Sequence, residues 1–149
     1  MNDRIPTHPM GPACFVTISL ADSESSILLD DFDRLRAAVR RTWREQPFFA
    51  HAWVVLPGRM HCVWSLPAGD IALAPRWGAI KRRFERPGDI GPGIWQPGWT
   101  ARRIASIADY GECVRYCWFA PVRQGVAHRP EDWAYSSIHA EEVDERQVA

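Results

Sequence analysis

A Pro-Gly pair between two apolar runs constrains this chain more than any other feature. Residues 49–56 and 60–66 are rich in β-branched and aromatic side chains, and Pro57-Gly58 between them is a turn signal. The middle of the chain is therefore expected to be a β-hairpin, closed off by Ser65-Leu66-Pro67-Ala68-Gly69-Asp70. Upstream, residues 13–20 form another β-branched run, the expected first strand. Between it and the hairpin, Phe32, Leu35, Val39 and Trp43 recur at helical spacing, predicting a helix over residues 30–45. Its acidic start (Asp30, Asp31, Asp33) and basic end (Arg40, Arg41, Arg44) suit the helix dipole, which gives those arginines a structural reason.

Downstream the pattern repeats. A second helix is expected over residues 73–86, with Trp77, Ile80 and Phe84 inward and Lys81, Arg82 and Arg83 outward or sideways. Residues 87–92 are rich in Gly and Pro and read as a loop, and residues 99–105 as a fourth strand. Ser106 and Asp109 make an S-x-x-D start for a third helix, expected to end before Pro121. The order βαββαβ plus a helix predicts an α+β fold of the split βαβ, ferredoxin-like kind: an antiparallel sheet with helices on one face and a further C-terminal helix.

The 149 residues suit one domain, with residues 1–12 and 140–149 as flexible ends. No apolar run reaches the 18 residues of a membrane span, and the start Met1-Asn2-Asp3-Arg4-Ile5-Pro6 lacks a signal-peptide pattern, so a cytoplasmic location is expected. Eighteen basic residues balance eighteen acidic ones, which argues against a strongly basic nucleic-acid binder. The distribution is uneven. Residues 76–103 hold seven basic residues (Arg76, Lys81, Arg82, Arg83, Arg86, Arg102, Arg103) against Glu85 and Asp89, a net of +5. Residues 131–149 hold six acidic residues against Arg146, a net of −5. One face can thus be positive on a neutral chain, unless both segments are simply solvated surface. Cys14, Cys62, Cys113 and Cys117 form no Cys-x-x-Cys pair and read as buried reduced thiols rather than zinc ligands.

In a strand, positions 59 and 61 aim at the same side, and here they are Arg59 and His61, inside Trp53-Val54-Val55-Leu56-Pro57-Gly58-Arg59-Met60-His61-Cys62-Val63-Trp64. The third helix carries a lone tyrosine in Glu112-Cys113-Val114-Arg115-Tyr116-Cys117-Trp118-Phe119-Ala120-Pro121-Val122. Taken alone, His61 reads as a core histidine and Tyr116 as a packing residue beside Trp118 and Phe119.

Together the two segments resemble the histidine–hydrophobe–histidine (HUH) strand and the tyrosine helix of the single-tyrosine transposases. Within that group they are similar to the REP-associated tyrosine transposases, which act on single-stranded DNA hairpins. The resemblance spans residues 13–139. It includes Arg76-Trp77-Gly78-Ala79-Ile80-Lys81, Gly93-Ile94-Trp95-Gln96-Pro97, Pro121-Val122-Arg123-Gln124-Gly125-Val126 and Asp132-Trp133-Ala134-Tyr135-Ser136-Ser137. It implies Tyr116 as the nucleophile that forms a 5′-phosphotyrosine, His61 as a ligand of Mg²⁺ or Mn²⁺, and a third ligand four residues after the tyrosine. The metal would polarise the scissile phosphate; an unperturbed tyrosine, with a pKa near 10, is ionised only about once in a thousand at pH 7 and needs such help.

The chain departs from that pattern. Arg59 stands at the first-ligand position, Ala120 at the third, and Thr100-Ala101-Arg102 where the group reads Trp-Glu-His. His51 and Glu112 are substitute ligands to consider, Arg59 is a potential phosphate contact in its own right, and Trp95 and Trp99 are candidates for stacking on unpaired bases. The expected function is binding of single-stranded or hairpin DNA through Arg76, Lys81, Arg82, Arg83, Arg102 and Arg103, with an impaired tyrosine site and weak or absent Mg²⁺ or Mn²⁺ binding. An active nicking and rejoining enzyme and a decayed remnant are the alternatives. The expected partner is DNA, with no membrane, and the chain a monomer or homodimer.

Overall fold

The computed structural model describes residues 10–86 and 93–141; the expected loop over 87–92, residues 1–9 and residues 142–149 lie outside the described residues. Four strands, β1 (Met10–Ser19), β2 (Phe49–Leu56), β3 (Arg59–Pro67) and β4 (Thr100–Arg103), form one sheet in the order β2-β3-β1-β4. Every neighbouring pair is antiparallel. Helices α1 (Ile27–Asp30), α2 (Phe32–Glu45), α3 (Leu73–Phe84) and α4 (Ile107–Arg123) follow the expected order, and the 3-10 turns Pro130–Asp132 and Ser137–Glu141 close the described chain. This is the ferredoxin-like arrangement, with β1 and β3 central. Among the described residues no helix is long and apolar enough to cross a membrane.

The pleat divides the sheet into two faces, and each carries its own apolar cluster. Val16, Ile18, Val55, Met60, Cys62 and Trp64 pack with Leu35 and Ala38 of α2 and Trp77, Ile80 and Phe84 of α3. On that side Trp64 stacks between Phe48 and Trp77, with ring centroids at 3.7 and 4.7 Å. The alternate residues Ala52, Val54, Leu56 and Val63 pack on the other face against Cys113, Cys117 and Ala120 of α4. The C-terminal helix therefore lies across the sheet from α2 and α3. His61, two residues before Val63, belongs to the α4 face.

The Pro57-Gly58 turn works through its glycine. Gly58 has φ +80°, and a Cβ there would stand 2.0 Å from the carbonyl oxygen of Ser23. Gly58 N–H donates to Ser25 C=O, and Leu20 N–H donates to Gly58 C=O. The turn is thereby clamped to the segment after β1. The edge strand β2 is covered by residues 133–137. Val54 bridges Ser136, Val55 N–H donates to Tyr135 C=O, and the Trp133 indole donates to Val55 C=O at 2.8 Å. That use accounts for the Trp-x-Tyr-Ser-Ser pattern as protection of a strand edge.

Besides shifts of one or two residues at the ends of β3, α3 and β4, three boundaries differ from expectation. Strand β1 starts at Met10, inside the expected flexible end, because Met10 pairs with Pro67. The helix expected over residues 30–45 starts at Phe32 as α2, and the one-turn helix α1, which was not expected, precedes it. Helix α4 does not stop before Pro121 but runs through it to Arg123. A proline in the last turn costs one backbone bond and already holds a helical φ, and Val126 N–H returns to Pro121 C=O at 2.9 Å. The start of α4 is as read: Ser106 Oγ accepts from Asp109 N–H at 3.0 Å.

Candidate functional site

Tyr116 and His61 meet. The strand places His61 on the α4 face, α4 presents Tyr116 above it, and their rings make an edge contact with centroids 5.3 Å apart. Phe15 of β1 completes a three-ring group, stacked on His61 at 5.7 Å and edge-on to Tyr116 at 5.4 Å. His61 is 5% exposed, whereas Tyr116 is 45% exposed. Thr17, paired with His61 across β1 and β3, holds the imidazole by a hydrogen bond of 2.8 Å between its hydroxyl and Nδ1. Burial, aided by the charges of Arg59 and Arg123, pushes the His61 pKa down to about 4, so the ring is neutral at pH 7.

Arg123 was not singled out from the sequence. With α4 continuous through Pro121, it falls seven residues, or two turns, after Tyr116 and on the same face. Its guanidinium lies 3.7 Å from the centre of the Tyr116 ring and donates to the Tyr116 C=O at 2.6 Å. Gln124 next to it donates from Nε2 to Pro57 C=O at 3.0 Å, tying the end of α4 to the turn before Arg59. The signal was present as an i, i+7 spacing, hidden by reading Pro121 as a stop.

The remaining ligand positions bring no metal donor. Arg59 is exposed, and among the described residues it makes no hydrogen bond or ion pair. Ala120 is 3% exposed, packed in the apolar cluster under α4. His51 sits at a bulge in β2 and is committed elsewhere, with Nε2 2.7 Å from Ser65 Oγ and Nδ1 3.2 Å from the Tyr110 hydroxyl. Glu112 is exposed on α4 and enters no ion pair among the described residues. No group of three or more His, Cys, Asp or Glu side chains among the described residues is placed to hold a metal. One imidazole already bonded to a hydroxyl, beside two guanidiniums, does not fit Mg²⁺ or Mn²⁺, which favour oxygen ligands and are repelled by fixed positive charge.

The six basic residues expected to contact DNA do not converge on Tyr116. Arg76 is 2% exposed and uses all five of its N–H groups internally, on Gln46 C=O, Pro47 C=O, Ala72 C=O and both Asp70 carboxylate oxygens. This corrects its place in the DNA-facing set, because no donor remains for a phosphate. Arg83 bridges α3 to α2, donating to Thr42 Oγ1 at 2.8 Å and to the Glu45 carboxylate. Lys81 lies over the Trp95 ring at 5.7 Å, and burial lowers its pKa. Arg102 shares Tyr116's face by register with Phe15, but it forms a two-pronged pair with Asp109 at 2.8 and 3.1 Å. That pair holds the Asp109 carboxyl down to about 2. Arg82 and Arg103 are exposed and make no ion pair among the described residues. Trp95 is 7% exposed, packed edge-on to Phe84, and Trp99 packs against the same core. Trp95 is therefore a core residue rather than a stacking platform. The three buried cysteines and the partly buried Cys14 are all free thiols, and burial pushes Cys117 up to about 12.

No family model matches the chain. It is 36% identical over 129 residues to the REP-associated tyrosine transposase of Escherichia coli (strain K12), covering 87% of this chain and 78% of that protein. Among solved structures, a REP-associated tyrosine transposase bound to a REP hairpin matches with a TM-score of 0.84 at 33% identity. That match covers 100% of this chain and 88% of the other.

Proposed function

The chain belongs to the REP-associated tyrosine transposases, and from that premise we propose that it binds hairpin DNA with a tyrosine site impaired for cleavage. The observation that carries the reading is the make-up of the site. A half-exposed Tyr116 stands against one neutral imidazole and one guanidinium, where the resemblance calls for two imidazoles and a third donor. Hairpin recognition is supported by the likeness to a relative whose structure holds a REP hairpin. The partner is single-stranded or hairpin DNA, met in the cytoplasm, by a monomer or homodimer.

A second reading, an active nicking and rejoining enzyme, is favoured by one feature. Among the described residues the Tyr116 hydroxyl makes no hydrogen bond, so a lone pair is available for in-line attack on phosphorus. The third reading, a remnant without DNA binding, fails if binding is seen at all.

Equilibrium binding of a DNA hairpin with a single-stranded extension, against a plain duplex and over a salt series, tests the proposal. The hairpin is expected to bind more tightly. A log–log salt slope between about −2 and −4 is expected, since only a handful of cations are free to meet phosphates. Equal affinity for any duplex, or a slope near zero, would sink it.

A further inference from the structure

We propose that the Arg59 and Arg123 guanidiniums, set beside His61 and Tyr116, form a phosphodiester-binding site that works without a divalent cation. The inference deepens the DNA-binding reading and takes the identity of its ligand, a backbone phosphodiester, from it.

An arginine offers five N–H groups in a planar fork that matches two phosphate oxygens. Arg76 spends all five inside the protein. Arg123 spends one, on the Tyr116 C=O. Arg59 spends none among the described residues. Neither Arg59 nor Arg123 has a carboxylate partner there, whereas Arg76, Arg83, Arg86 and Arg102 each do. Arg59 and Arg123 thus bring two cations without a carboxylate partner among the described residues, most of their donors unused, to the side of the tyrosine.

Placement supports the same conclusion. Arg59 lies two residues before His61 on the same face of β3, and Arg123 lies against the Tyr116 ring. The Gln124–Pro57 bond ties the α4 end that carries Arg123 to the turn that leads into Arg59. Both charges act on His61. A dication would meet repulsion at this spot, while an anion would meet two forks and, in Tyr116, a hydroxyl. The site therefore takes over the ground-state grip on phosphate that a metal gives elsewhere. It brings no Lewis acid to polarise the transition state, consistent with binding that outlasts cleavage.

The test uses the whole chain in EDTA and follows the arginine Nε–H signals of Arg59 and Arg123 by NMR. One titration uses the dinucleotide thymidylyl-thymidine, which carries a single phosphodiester, and another uses inorganic phosphate. The dinucleotide is expected to shift both signals saturably, with an affinity unchanged when Mg²⁺ replaces EDTA. Arg59→Ala, a change that breaks no internal bond, should weaken it about tenfold or more, and Arg59→Lys should restore part. A requirement for Mg²⁺, an unaltered affinity in Arg59→Ala, or binding of inorganic phosphate alone would overturn the inference. The hairpin titration separates the two claims. If the hairpin binds and the dinucleotide does not, this inference fails and the DNA-binding reading stands. If the dinucleotide binds and the hairpin does not, the phosphate site stands and the hairpin reading falls.

Discussion

Counting N–H groups sorts the arginines of this chain by work, at a resolution the sequence alone lacks. Arg76 is a buried strut: its five bonds join α3 to the Gln46-Pro47 corner after α2 and to Asp70, whose carboxyl it holds below the usual range. Truncating it leaves several carbonyls and a carboxylate without their donor. Arg76→Ala is therefore expected to cost about 3–5 kcal/mol, read as a lower urea midpoint, while Arg82→Ala on the exposed side of the same helix should stay within about 0.5 kcal/mol. Histidines give a second residue-scale prediction. Burial depresses His51 and His61 to about 4, against about 6.5 in an unfolded chain. The unfolded state binds more protons between those values, so stability falls as pH drops from about 6.5 to about 4 and these two contribute no further loss below it. Each accounts for at most about 3 kcal/mol. Urea unfolding across that range should show the decline, made shallower in His51→Gln; a stability independent of pH there would contradict the burial argument.

At the scale of elements, the parts of the sequence with strong periodicity were legible and the parts decided by tertiary contact were not. The hairpin, the α2 stripe and the Ser106 cap are local patterns, and each element forms where those patterns lie. The end of α4 was not legible: Pro121 signals a stop, yet Ala120 packs on the sheet, Pro121 is buried, and the helix runs onward to Arg123. The pairing of His61 with Tyr116 was legible only through resemblance, since nothing local links a strand residue to one 55 positions later. Gly58 is the element-scale test. Its positive φ and the Ser23 carbonyl 2.0 Å from a would-be Cβ leave no room for a side chain. Gly58→Ala should destabilise by more than about 2 kcal/mol and also weaken dinucleotide binding, because the turn sets the position of Arg59. An unaltered denaturation midpoint would mean that the clamp to Ser23 and Ser25 is loose.

Over the whole molecule, the charge asymmetry of the sequence is largely cancelled by folding. Four of the seven basic residues in 76–103 pair with Asp70, Glu45, Asp31 and Asp109, three of which lie before that segment and one after it. Linear charge counting cannot anticipate such pairing, and it overstated the basic middle. What survives is a neutral protein in which Arg59 and Arg123, two of the cations without a carboxylate partner among the described residues, stand beside the tyrosine site. Rebuilding the expected ligands by Arg59→His with Ala120→Asn removes one of those cations and returns an imidazole and an amide to the site. If Mg²⁺ binding, measured by calorimetry, appears in that double variant and not in the parent, the loss of ligands is the cause; if neither binds, the change at Ala101 and Arg102 also matters. The most direct test of the account is a covalent-adduct assay on hairpin DNA with a single-stranded extension, in Mg²⁺ or Mn²⁺, beside the Escherichia coli relative. On the proposed reading, the lost electrostatic help of a metal would remove several kcal/mol of transition-state stabilisation, so adduct formation is expected to be absent or slower by about a thousandfold or more while the hairpin still binds. An adduct formed at a rate near the relative's, and abolished by Tyr116→Phe, would show an intact enzyme and contradict the account.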